Sequence, residues 1–149
     1  MAKPRYKEPQ SSPEQVFVET IIKGLGQLFR LLFRRKQTVD SAALAKIRVH
    51  WSDVEAHLAQ ESTRALAVSE ADKLLDAALQ VHKVAGSTMG ERLKSAENLF
   101  SHSLYQRIWD AHKLRNHLAH EMGATVSAAE AQQAVGAFRE AMGNLGVLQ

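Results

Sequence analysis

The chain has no cysteine, only 3 prolines and 8 glycines, and few aromatic residues, which make up 6% of its 149 positions. Without cysteine it has no disulfide framework, thiolate nucleophile or cysteine-ligated zinc site, and nothing requires an oxidising compartment. Aromatic and β-branched residues are too sparse for an all-β domain, and so little proline and glycine leaves few turns. Good helix formers dominate the remainder, so we predict an all-α, cytoplasmic protein.

The net charge of +3 is unevenly distributed along the chain. Residues 1–36 carry eight basic and three acidic side chains, a net charge of +5, whereas residues 37–149 carry eleven basic and thirteen acidic ones, a net charge of −2. The larger part of the chain therefore has no overall field that would attract a polyanion. Any contact with nucleic acid in that part must depend on a local site.

The first 36 residues are predicted to hold two segments. All three prolines fall within residues 1–15, which we predict to be a disordered basic arm. Apolar residues recur every three or four positions within residues 16–36, which predicts an amphipathic helix ending in the basic cluster Arg34, Arg35 and Lys36. Its charged residues argue against a membrane span. It either lies on an anionic surface at the inner face of the membrane or packs on protein, and the sequence leaves both open.

Residues 39–149 are predicted to form one helical domain. Apolar stripes with helical spacing, capping residues and glycine stops define five helices with short connections, which favour an antiparallel up-and-down helical bundle. Capping boxes are predicted where Thr88 precedes Glu91 and where Ser127 precedes Glu130, and Asp40 or Ser41 is predicted to cap the first helix. Gly86 is predicted to stop the second helix, residues 101–103 to form a turn, and Gly123 to give the fourth helix a left-handed cap. The five predicted helices span about 41–60, 63–86, 88–100, 104–123 and 127–145.

The fourth predicted helix holds the most informative residues. His112, Asn116 and His120 follow each other at intervals of four and form one stripe on a helix. Arg115 lies about 140° around the axis from His120, so one helix alone makes a poor active site. Two copies facing each other across a two-fold axis would bring two arginines and two histidines into one cleft.

The stretch from Arg115 and Asn116 to His120 resembles the signature of the HEPN superfamily, in which an arginine and a polar residue precede a histidine at short spacing. The resemblance implies a helical bundle, a homodimer formed through the motif helices and, in active members, a metal-independent endoribonuclease. It therefore implies that the protein binds RNA, with Arg115, Asn116 and His120 as site residues and with no cofactor or metal.

The residue types suit that chemistry. His120 can accept or donate a proton near neutral pH, and the guanidinium of Arg115 can bind two phosphate oxygens. Asn116 can orient the histidine or bind the phosphate or sugar. The secondary candidates are His112, His117 and Glu121, which the motif does not require. Metal binding by these histidines is disfavoured because their spacing does not match a His-Glu-x-x-His site.

Other interpretations remain open. Arg115 can form a surface ion pair with Asp110 or Glu121, and the motif can be accidental in a generic helical dimer. A non-catalytic HEPN-like module is the main alternative to an enzyme. Such a module would mediate protein association, with a nucleotidyltransferase or an antitoxin as partner, and residues 16–36 would hold it near a membrane surface.

Overall fold

The computed structural model describes residues 40–148, and this part of the chain is helical, as predicted. The arm predicted over residues 1–15 and the amphipathic helix predicted over residues 16–36 lie outside the described residues. Two 3-10 turns, Glu61–Thr63 and Glu97–Leu99, connect helices, and the described residues form no strand. The helices are α1 (Ser41–Ala59), α2 (Arg64–Val81), α3 (Met89–Ser95), α4 (His102–His120) and α5 (Ala128–Asn144).

The starts of α1, α3 and α5 follow caps that the sequence predicts. Asp40 accepts hydrogen bonds from the first-turn amides of α1, at 3.0 and 3.2 Å. Both predicted capping boxes are present, with Thr88 and Glu91 at the start of α3 and Ser127 and Glu130 at the start of α5. In each box the hydroxyl accepts from a backbone amide while the carboxylate accepts from the amide of the capping residue. These starts are confirmed because a cap depends on neighbouring residues alone.

The predicted ends of α2 and α3 are wrong by about five residues. α2 ends at Val81 because the chain turns through Lys83, whose φ is +57°, and the amide of Val84 donates back to the carbonyl of Leu79 at 3.0 Å. A lysine takes the left-handed position here, and Gly86, the predicted stop, lies in the loop beyond it. α3 ends at Ser95 and passes into a 3-10 turn.

The fourth helix also differs slightly from its prediction. It begins at His102, with Ser101 as its cap, so the predicted turn over residues 101–103 is wrong. It ends at His120 rather than at Gly123. Gly123 does have the left-handed backbone expected of it, with φ of +80°, but in the turn that follows the helix. The whole predicted site still lies on α4 or directly after it.

The core forms around α2, which packs against α1, α4 and α5. Apolar residues from every helix are buried there, and Trp51 of α1 is a core residue with 5% of its surface exposed. The packing of α2 against α4 places the middle of one helix beside the middle of the other. No helix within residues 40–148 is long and apolar enough to cross a membrane. The largest fully buried side chains are Val54, Val68, Leu75, Leu79, Leu93, Leu104, Ile108, Phe138, Met142 and Val147.

Candidate functional site

The structure divides the candidate residues of α4 into two groups. Arg115 and Asn116 are half-buried and lie beside His112, which is buried, so these three side chains come together. The other candidates lie at the exposed end of the helix. His120 is its last residue and is exposed, and His117 lies 3.0 Å from Glu121 in an exposed pair. Within one chain, the motif arginine and the motif histidine therefore have different environments.

The centre of the buried group is a pair between α4 and α2. His112 Nδ1 lies 2.7 Å from Asp72 Oδ1, and the two side chains are only 11% and 3% exposed. A buried carboxylate is stable only when it is hydrogen-bonded and its charge is balanced. The edge of Trp109 packs near the imidazole, with the ring centroids 5.9 Å apart. Asp72 and Trp109 thus hold His112 in one orientation.

Hydrogen bonding fixes which nitrogen of His112 carries the proton. Arg115 Nη1 donates to Asn116 Oδ1 at 3.0 Å, and a guanidinium can only donate. The amide nitrogen of Asn116 therefore faces His112 Nε2, at 3.2 Å, and donates to it. Because Nε2 accepts this bond, the ring donates from Nδ1 to Asp72. The opposite orientation of the Asn116 amide would place two donors against each other.

Arg115 also contacts Asp72, which closes the series of contacts. Its Nε lies 3.5 Å from Asp72 Oδ2, close enough for charge attraction, but Nε is buried and makes no hydrogen bond within residues 40–148. The attraction therefore balances the carboxylate charge without a well-directed bond. Asp72, His112, Asn116 and Arg115 form a closed ring of contacts, which we call the polar ring.

A cavity of about 520 Å³ opens beside the polar ring. All four members of the ring line it, together with Lys73 on its rim and the start of α3. Its volume is in the range of sites for small ligands, which are about 300–1,000 Å³. Gly90 of α3 faces the imidazole across this space, since a Cβ added there would lie 4.0 Å from His112 Nε2. The cavity can therefore admit a group close to that nitrogen.

The far wall of the cavity is held by an ion pair between α3 and α2. Arg92 donates from Nε and Nη2 to the two carboxylate oxygens of Asp76, at 2.6 and 2.9 Å, and from Nη1 to the carbonyl of Gly86 at 2.5 Å. The hydrogen bonding of Arg92 to Asp76 is the largest cause that raises the pKa of Arg92, so the guanidinium stays charged. Arg92 therefore fixes α3 and the loop before it.

Sequence reasoning missed Asp72, Asp76, Arg92 and Gly90. One signal did exist for Asp72, because it follows Val68 by four residues and precedes Leu75 by three, which places a charge on the buried stripe of α2. A charged residue at a core position often marks a functional or paired site. The other three residues carry no such local signal.

No three side chains among histidine, aspartate and glutamate within residues 40–148 are arranged to hold a metal ion.

The resemblance to the HEPN superfamily depends on the motif residues alone, because comparison with known proteins found no match. No protein-family model matches the chain, and neither a curated protein nor a solved structure is significantly similar to it. Membership of the HEPN superfamily therefore stays a prediction, supported by Arg115, Asn116 and His120 in a helical bundle.

Proposed function

We propose that the protein is a HEPN-like homodimer that binds RNA and cleaves it without a metal ion. The observation that carries the proposal is that Arg115 and Asn116, the first two residues of the motif, line one cavity together with a buried histidine. The side chain of Arg115 is 27% exposed, so it is held by its neighbours and still reachable by a ligand.

Besides Arg92, which is paired with Asp76, two positive side chains line this cavity and suit a phosphate diester. The guanidinium of Arg115 has donors beyond the one that Asn116 uses, and guanidinium groups bind two phosphate oxygens side by side. Lys73, exposed on the rim, adds a second positive charge. Because the domain as a whole is slightly acidic, affinity would come from these two groups and not from a long-range field.

The position of His120 supports a composite site. His120 is exposed at the end of α4, about 6 Å along the axis from Asn116, and it does not line the cavity of its own chain. In a two-fold dimer of motif helices, His120 of one copy would protonate the leaving oxygen of RNA bound at the other copy.

Cleavage of a single-stranded RNA oligonucleotide in EDTA tests the proposal. We expect cleavage by the full chain and a loss of about 100-fold or more in both His120→Ala and Arg115→Ala. Matched controls come from the same helix: His102→Ala removes an exposed histidine outside the motif, and Arg107→Ala removes an exposed arginine. Both controls should retain activity.

Two results would reject this function. One is equal cleavage by wild type and His120→Ala. The other is a strictly monomeric chain at tens of micromolar by sedimentation velocity, because a composite site cannot form without a second copy.

RNA binding without turnover is the second candidate. It is favoured by the bond from Asn116 to His112 Nε2, which occupies the free lone pair of the imidazole. In that case the polar ring would serve to hold Arg115 for phosphate binding. RNA binding by the wild type with no cleavage, and loss of binding in Arg115→Ala, would identify this candidate.

A further inference from the structure

We infer that His112 is the general base of the proposed cleavage and that Asp72 positions it, an inference that rests on the proposed function. Asp72 Oδ1 accepts a hydrogen bond of 2.7 Å from the protonated Nδ1 of His112, and both side chains are almost fully buried. A carboxylate in this position fixes the orientation of an imidazole and stabilises the imidazolium that forms when the other nitrogen takes a proton. The motif itself does not require His112.

The reactive nitrogen of His112 faces the cavity. Nε2 is the nitrogen that carries the lone pair, and it lies beside the space that Gly90 leaves open. A general base must come within about 2.6–3.2 Å of the hydroxyl from which it takes the proton. Any side chain at position 90 would begin 4.0 Å from Nε2 and occupy part of that space.

Asn116 couples phosphate binding to the base. In the free protein its amide donates to Nε2 while its oxygen accepts from Arg115. When phosphate binding turns the whole guanidinium of Arg115, including Nη1, away from Asn116, Asn116 loses that partner and is freed to move from Nε2. The lone pair of His112 Nε2 then accepts a hydrogen bond from the 2′-hydroxyl of the bound ribose. The base is thus exposed only when substrate is present.

The resulting step balances without any further reactant. The proton of the 2′-hydroxyl moves to His112 Nε2, the 2′-oxygen forms a bond to phosphorus, and the bond from phosphorus to the 5′-oxygen breaks. The 5′-oxygen takes a proton from the proposed acid, His120. The products are a 2′,3′-cyclic phosphate and a 5′-hydroxyl, and the two histidines return to their starting states by proton exchange with water.

Chemical rescue tests His112 as the base. We expect His112→Ala, at saturating RNA, to cleave at least about 100-fold more slowly than wild type in EDTA. Added imidazole should restore cleavage about tenfold or more, whereas pyrazole, a ring of equal size and much weaker basicity, should not. If His112→Ala cleaves RNA at the wild-type rate, the inference about His112 is wrong but the proposed function is not. If the wild type does not cleave RNA, both are wrong.

Gly90→Ala is a second variant whose result does not depend on removing a buried side chain. The added methyl makes ordinary contacts, 3.7 Å from Trp109 and 4.0 Å from His112 Nε2, and alanine has a higher helix propensity than glycine. We expect a folded variant, at least as stable as wild type, with about tenfold slower cleavage. Gly136→Ala of α5 is the matched control, because its Cβ meets nothing within 4 Å. Equal cleavage by Gly90→Ala and the control contradicts the inference.

Nitrogen NMR of the imidazole tests Asp72 as a positioning residue. In wild type, Nδ1 of His112 should carry the proton and Nε2 should not. Asp72→Asn offers an amide that can donate to Nδ1, so we expect part of the population to move its proton to Nε2 and cleavage to fall at least about tenfold. The wild-type proton position together with wild-type cleavage would show that Asp72 does not position the base.

Discussion

The ion pair between Asp76 and Arg92 gives the sharpest test of how burial sets the strength of contacts around the cavity. The side chains of Arg92 and Asp76 are 10% and 21% exposed, and two hydrogen bonds of 2.6 and 2.9 Å join them. Asp76→Asn removes the negative charge and turns a donor toward one nitrogen of Arg92. The guanidinium cannot lose its charge to escape this, because its pKa is already above that of the other side chains and Asp76 raises it further.

The expected loss follows from that partial burial. Breaking a fully buried pair by removing one partner costs about 3–5 kcal/mol, whereas exposed pairs contribute about 0–1 kcal/mol. Water reaches Asp76 and the carbonyl of Gly86 still accepts from Arg92, so we take a value below the buried range, about 2–3 kcal/mol. For a domain of this size the midpoint of thermal unfolding should fall by about 8–12 °C.

A second ion pair of similar distance but greater exposure serves as the control. Arg107 lies 2.7 Å from Glu140, but these side chains are 51% and 50% exposed. Urea unfolding followed by circular dichroism should show a loss of less than about 1 kcal/mol for Glu140→Gln. If Asp76→Asn loses no more than Glu140→Gln does, burial does not strengthen the pair and our account of the cavity wall is wrong.

Two further predictions concern the caps and the loop before α3. Gly86→Ala should lower the free energy of unfolding by about 1–3 kcal/mol, because φ is +143° and the new Cβ would lie 2.6 Å from the backbone nitrogen of Arg92; wild-type stability in urea would contradict this. A hydrogen bond from the side chain of Ser87 lowers the pKa of Glu91, and a hydrogen bond from the side chain of Ser127 lowers the pKa of Glu130. The contributions of these two carboxylates to the free energy of unfolding are complete above the ordinary pKa of 4.5 and disappear as pH falls through their lowered pKa values. Wild type should therefore lose more stability between about pH 5 and pH 3 than the double variant Glu91→Gln, Glu130→Gln, and equal losses would refute the assignment.

Sequence predicted the helices of this domain well where their signals are local. The caps at Asp40, Thr88 and Ser127 act within three residues, so the starts of α1, α3 and α5 could be read directly. The end of α2 could not, because Lys83 adopts a left-handed conformation and ends the helix before Gly86, the predicted stop. The backbone at that point follows from the packed loop and not from the preference of the residue.

The candidate site shows the same division between local and distant information. The stripe of His112 and Asn116 on α4 could be predicted from helical spacing, and the two side chains do contact each other. The partner of His112 could not, since Asp72 lies 40 residues earlier and meets it only when α2 packs on α4. The stripe also includes His120, yet spacing says nothing about exposure, and the packing leaves His120 outside the cavity.

Asp72 is also the residue that separates a phosphate-binding cavity from a catalytic one. A carboxylate 3.5 Å from Arg115 weakens the attraction of that guanidinium for an anion, so it opposes phosphate binding. Arg115 balances the charge of Asp72, but its Nε makes no hydrogen bond to the carboxylate. The short bond of Asp72 goes to His112 instead, at 2.7 Å. A carboxylate that reduces anion affinity and orients an imidazole is more useful for proton transfer than for binding alone, and for this reason we place His112 in the reaction.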